Sequence, residues 1–122
     1  LGVGDQVKLL GVRRDIPELA RAADLFLLPS LQEGLPVALM EAMAAGLPAV
    51  CSDIRGDRDL IRAEQGGLLC WPEDADGFAA AILRLKGSPE LRRRMGEHNR
   101  QAVEAFSTRR VLEEMRQIYG VV

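Results

Sequence analysis

The chain has 122 residues, 48% hydrophobic and 28% charged, with 16 basic and 18 acidic side chains and a formal net charge of −2. That length allows one domain with a real core, and the balance argues against a disordered chain, a membrane span and a broad basic face for nucleic acid. Two cysteines, Cys51 and Cys70, and one histidine, His98, have no close spacing, so no metal site is expected.

Gly2-Val3-Gly4 invites a dinucleotide-binding reading, but the third glycine of that fingerprint would fall at Val7, and a strand rather than a helix follows. Val7 to Leu10 reads as a short strand ending at Gly11, with Val12-Arg13-Arg14 as a loop. Asp15-Ile16-Pro17 then opens a helix through about Ala23, with Ile16, Leu19, Ala20 and Ala23 on one side. The apolar run Leu25 to Leu28, bounded by Pro29-Ser30, has the length of a buried strand.

Pro36 suits the first turn of the next helix, where its missing N–H costs nothing, and Val37, Met40, Glu41 and Ala44 follow at helical spacing. Gly46-Leu47-Pro48 ends that helix and Ala49-Val50-Cys51 begins another strand. Such a strand–turn–helix–strand unit builds parallel sheets with ligand crevices at the carboxyl ends of the strands. Glu33 in the turn and Glu41 in the helix stand eight positions apart. From Pro36 to Glu41 the helix rises about 7.5 Å, so the two carboxylates flank its start. The free N–H groups near Gly34, Leu35 and Val37, with the positive end of the helix dipole, make an anion site between them. A carboxylate beside an anion is repulsive unless it points at hydroxyls. The set therefore suits a nucleoside-diphosphate sugar, with diphosphate on the amides, sugar hydroxyls on one glutamate and ribose hydroxyls on the other.

Beyond this unit, Ser52 to Asp59 reads as a polar loop with a helix start near Asp57 that continues through Leu60 and Ile61. Arg55 and Arg58 read as salt-bridged loop residues, with phosphate neutralisation as the alternative. Gly66-Gly67 turns into the strand Leu68-Leu69-Cys70, and Trp71-Pro72 leaves it extended. Trp71 reads as a lid over the sheet edge, or else as a stacking surface for a base or sugar. Cys51 and Cys70 read as small buried thiols rather than as a disulfide. Asp74 or Asp76 caps a helix with Phe78, Ile82 and Leu85 on one stripe, and Gly87 ends it. Ser88-Pro89 starts a further helix with Leu91, Met95, His98, Ala102 and Ala105 on its apolar side, which makes His98 a packing residue before an acid–base one. Ser107 is expected to cap a last helix whose Val111, Met115 and Ile118 face inward. Arg92-Arg93-Arg94 reads as a solvated helix face, with anionic lipid as the other option. This alternation of strand and helix predicts an α/β fold, a partial doubly wound, Rossmann-like parallel sheet of about four strands (7 to 10, 25 to 28, 49 to 51, 67 to 70) and about six helices.

The string SLQEGLPVALMEAMAAGLP closely resembles the paired-glutamate signature of the group 1, nucleotide-sugar-dependent retaining glycosyltransferases of the two-domain GT-B fold, and LLGVRRDIPELARAADLFLLPS is similar to the same family. Around Asp57, where related sequences often have asparagine, the likeness thins. The resemblance covers essentially the whole chain but only part of a usual member. It implies that residues 1–122 are an incomplete C-terminal donor-binding domain, with its first strands and the whole N-terminal domain absent.

What the resemblance implies for function is sugar transfer from a nucleoside-diphosphate donor to a glycan or lipid-linked acceptor, with retention of configuration. Glu33 would be the catalytic residue that orients the donor sugar and stabilises its developing positive charge. Gly34, Leu35 and Val37 would hold the diphosphate, Glu41 the ribose, and Val12 and Arg13 the base, unless those two form a plain surface turn. A basic pair that clamps the diphosphate in the family would lie upstream, so the isolated chain is expected to be weakly active or inactive. No metal or other cofactor is expected, the nucleotide sugar being a substrate. The implied location is cytoplasmic, with peripheral contact at the inner face of the membrane as a further option. Two other classes stay open: a nucleotide-sugar-binding half-domain without turnover, and part of a GT-B-fold sugar-nucleotide 2-epimerase, for which only His98 is available as an acid–base group.

Overall fold

Helices and strands alternate along the computed structural model, which describes Val7, Gly11 and residues 15–31 and 37–119, the side chains of 16, 17 and 107–119 excepted. The order is α1 (Ile16–Ala22), β1 (Phe26–Leu28), α2 (Val37–Ala44), β2 (Ala49–Ser52), α3 (Arg55–Arg58), β3 (Gly67–Cys70), α4 (Ala75–Lys86) and α5 (Pro89–Tyr119). The three strands form one parallel sheet in the order β1-β2-β3. Its register sets Phe26 beside Ala49, Cys51 beside Leu69 and Ser52 beside Cys70. The expected strands at 25 to 28, 49 to 51 and 67 to 70 are thus present and mutually paired. Of the strand expected at 7 to 10, Val7 is exposed and outside any strand, and 8–10 lie outside the described residues.

β2 is buried along its whole length because it has a strand on each side and helices on both faces. Ala49 and Cys51 point into a cluster with Leu39 and Met43 of α2, Ile61, and Val103 of α5. Val50 points the other way, to Leu68, to Phe78, Ala81 and Leu85 of α4, and to Met95. In α2 the inward residues are Leu39, Ala42 and Met43, which leaves Val37, Glu41 and Ala44 facing out.

The helix ends follow from local chemistry. Asp74 caps α4, its Oδ1 accepting from the Gly77 N–H at 3.0 Å, and Ser88 Oγ accepts from the Leu91 N–H at 3.2 Å. Gly46 adopts φ +80 and closes α2, with the Leu47 N–H donating back to the Ala42 carbonyl at 3.1 Å. α5 seats on that closure through another glycine: a Cβ on Gly96 would stand 1.9 Å from the Gly46 carbonyl oxygen. One turn on, the buried Asn99 amide donates to the carbonyls of Leu47 at 2.8 Å and Gly66 at 2.6 Å.

Four expectations need correction. Ser107 caps nothing, because α5 runs unbroken past it, and the side chains of Val111, Met115 and Ile118 lie outside the description. The helix placed near Asp57 starts at Arg55 and ends at Arg58, so Leu60 and Ile61 follow it as buried loop residues. Trp71 is 74% exposed, which is too open for a lid over the sheet edge. Arg92-Arg93-Arg94 is not merely solvated: Arg92 donates to the carbonyls of Leu85 and Lys86 at 2.7 and 2.9 Å, fastening the end of α4, and Arg93 pairs with Glu90.

Candidate functional site

In a parallel sheet every crossover leaves from the same edge, and here α2, α3 and α4 all begin beyond the carboxyl ends of β1, β2 and β3. That edge gathers Pro29 to Leu31, the first turn of α2, Asp53 to Arg55, and Trp71 to Asp74. The first turn of α2 holds no acidic side chain, so the positive end of its dipole is not neutralised from within the described helix. Val37 is 56% exposed at this turn, and its position at the helix start leaves the N–H without an intrahelical partner.

Glu41 lies one turn further along the same outward face. It is exposed and borders a hollow of about 310 Å³ between α1 and α2, whose other walls include Leu19, Ala23, Phe26 and Leu47. Among the described residues it is the one ionisable side chain of that lining, so a largely apolar hollow meets a carboxylate at its margin. Gly11 adopts φ +69. Of the residues singled out from the sequence, Val37 and Glu41 are thereby brought to one face of α2. Glu33, Gly34, Leu35, Val12 and Arg13 lie outside the described residues.

Around β2, Arg58 reaches Asp53 at 3.5 Å, which makes it a salt-bridged loop residue, while Arg55 is exposed. Asp57 is fully buried rather than at the crevice. Burial first, then the Asp57 carboxylate, then Cys70 push the Cys51 thiol up to about 12, so Cys51 is no nucleophile. Burial and then Asp74 also raise Cys70. Both thiols are free, and they face opposite sides of the sheet, Cys51 toward α2 and α5 and Cys70 toward α4. His98 lies beside Gly66, just before β3 begins, at the opposite edge from the crevice. Among the described residues no group of three or more His, Cys, Asp or Glu could hold a metal, and no helix is long and apolar enough to cross a membrane.

One residue escaped the sequence reading, and a second was given the wrong first role. Asn99 was hidden because the apolar spacing drew attention to His98, whereas the inward stripe is Met95, Asn99 and Val103 at intervals of four. Trp71, read first as a lid, is instead displayed outward, which leaves its alternative reading as a stacking surface.

The family model for glycosyl transferases group 1 matches residues 1–102. The chain is 40% identical over 120 residues to the protein of Bacillus subtilis (strain 168) named as glycosyltransferase EpsD, covering 98% of this chain and 32% of that one. It is 35% identical over 111 residues to the Escherichia coli UDP-Gal:alpha-D-GlcNAc-diphosphoundecaprenol alpha-1,3-galactosyltransferase, covering 91% and 29%. Among solved structures it matches a TarM mutant of S. aureus in complex with fondaparinux, alpha-GlcNAc-glycerol and UDP, with a TM-score of 0.85 or better in each TarM structure and 0.89 in this one. That match has 26% identity and covers 98% of this chain and 24% of the other. The chain therefore spans about a third or less of the two relatives named, 32% and 29%.

Proposed function

The chain belongs to the glycosyl transferases group 1 family, and on that premise we propose that it is the C-terminal part of the donor-binding domain of a retaining glycosyltransferase. The parent protein takes a nucleoside-diphosphate sugar and transfers its sugar to a glycan or lipid-linked acceptor. The observation that carries this reading is the start of α2: a first turn without acidic side chains at the carboxyl edge of the sheet, and Glu41 one turn below at the margin of the α1–α2 hollow. UDP in the TarM complex and the UDP-sugar and diphospholipid in the name of the E. coli relative support the substrate classes.

Under this reading the chemistry is electrostatic. As the glycosidic bond breaks, negative charge grows on the departing diphosphate and positive charge on the sugar ring. Amides fixed at Gly34, Leu35 and Val37 hold the first, as donors do in an oxyanion hole. Glu33 orients the sugar and stabilises the second. Glu41 accepts from the ribose hydroxyls, and Val12 and Arg13 meet the base at the entry to α1. No residue described acts as a metal ligand in this scheme. The 2-epimerase alternative needs an acid–base group at the crevice, and His98 lies at the other edge. The chain spans 32% of the first relative named, so the roles are tested in the parent protein.

Two substitutions in the parent protein test the roles separately. Glu41→Gln removes one charged hydrogen bond and should weaken donor binding by about 1.5–3 kcal/mol, raising KM with little change in kcat. A 2′,3′-dideoxy donor should bind variant and wild type alike. If it instead loses as much in the variant as the normal donor does, Glu41 does not hold the ribose. Glu33→Gln should lower kcat more than donor affinity. Normal turnover at saturation would reduce Glu33 to a binding residue.

A further inference from the structure

We propose that Trp71, with the acidic turn that follows it, forms a stacking subsite for a neutral pyranose ring of the glycan acceptor; the inference rests on the transferase reading above. Trp71 is the single tryptophan of the chain and is 74% exposed, directly after β3 at the carboxyl edge of the sheet. Its pedestal is rigid. Pro72 restricts Trp71 to extended backbone, the Asp74 N–H donates to the Trp71 carbonyl at 3.1 Å, and Asp74 is itself fixed as the cap of α4. The turn thus presents a flat aromatic face with a polar N–H edge beside a hollow, a shape a ring can stack on.

The surroundings select the ligand. Beside the indole lies a hollow of about 360 Å³ floored by Leu68, Gly77 and Ala80, with Asp74 and Arg84 on its margin. Arg84 is already held by Glu64 in a two-pronged pair at 2.6 and 2.7 Å, with Arg94 acting on the same Glu64, which leaves Asp74 as the carboxylate of the lining and Glu73 and Asp76 as its neighbours in sequence. A carboxylate in the lining with two more beside it in the turn disfavours a diphosphate or an anionic bilayer. A pyranose fits instead: its C–H face packs on the indole, and its hydroxyls donate to the carboxylates. Position agrees with an acceptor. Parallel strands stand about 4.8 Å apart, so the end of β3 lies about 10 Å across from the end of β1, far enough for an acceptor ring beyond the donor sugar.

The test uses the fluorescence of the 122-residue chain, in which Trp71 is the only indole. The chain is titrated with tetrasaccharides of α- and β-linked glucose and galactose, and with vesicles of phosphatidylglycerol and phosphatidylcholine. A saturable change in emission with at least one tetrasaccharide, and none with the anionic vesicles, is expected. By calorimetry, Trp71→Ala should bind that saccharide about two- to tenfold more weakly, and Trp71→Phe should retain part of the affinity. Emission unchanged by every saccharide, or shifted by vesicles alone, overturns the subsite. In the parent protein, UDP, GDP or ADP binding should be the same in wild type and Trp71→Ala. Loss of nucleotide binding in that variant would assign the ring to the donor and overturn the subsite. Saccharide binding in a parent that takes none of the three nucleotides would instead overturn the donor reading and leave the subsite standing.

Discussion

Cys51 gives the sharpest consequence at the level of single residues. Its thiol sits in the α2–α5 core, and its pKa moves from 9.0 to about 12 because burial, Asp57 and Cys70 all disfavour the thiolate. Unfolded, the same thiol ionises near its ordinary value, so above that pH the unfolded chain binds fewer protons than the folded one. Cys51 therefore leaves stability intact below about pH 9 and erodes it as pH rises toward 12, by about 1.4 kcal/mol per pH unit. Urea midpoints taken between pH 8 and 11 should fall more steeply in wild type than in Cys51→Ala. Parallel falls in the two proteins would count against the coupling. A buried small thiol was legible in the sequence from its place in an apolar run, but the proximity of Asp57 was not. That proximity depends on the short helix α3 turning Asp57 inward, and a polar stretch gives no sign of it.

At the level of elements, the seat of α5 on the end of α2 is built from contacts that no periodicity announces. Gly96 fits only because it lacks a Cβ, and Asn99 answers two carbonyls from separate loops, Leu47 and Gly66. The two carbonyls fix the amide's orientation, since the reverse would set oxygen against oxygen. Asn99 Oδ1 finds no partner among the described residues, a cost that the two donated bonds must exceed. Asn99→Ala should destabilise the fold by about 2–4 kcal/mol, read from urea unfolding. Gly96→Ala should also destabilise, although alanine favours a helix interior by about 1 kcal/mol. A more stable Gly96→Ala would mean that α5 does not press on Gly46. The sequence resolved α1, α2, α4, the start of α5 and all three described strands because each is bounded by proline, glycine or a capping acid. It failed at Ser107 for the same kind of reason. A serine halts a helix only where the chain is already leaving it, and residues 102–106 contain neither glycine nor proline. Of the candidate site, α2 and the helical spacing of Val37 and Glu41 were legible; which way they face, and the exposure of Trp71, were not, because both depend on what packs around the helix and the strand end.

Across the whole molecule, stability should follow the layering of the sheet. β2 is bonded on both sides, is buried at all four positions and has a helical layer on each face. β1 has one strand neighbour among the described residues, and Leu27 in its middle is 42% exposed. Opening β1 therefore uncovers less apolar surface than opening β2, and local unfolding at that edge needs less free energy. Amide exchange in the isolated chain should accordingly be slowest at Val50 and Cys51, intermediate at Leu68 and Leu69, and faster at Phe26 and Leu28. In the parent protein the doubly wound order would place a further strand against β1, and protection there should rise while that of β2 changes little. Exchange at Phe26 and Leu28 as slow as at Val50 in a monomer of the isolated chain would show that β1 already has its second neighbour. Equal rates in chain and parent, with β1 fast in both, would mean that no strand joins that edge and that the doubly wound continuation is wrong.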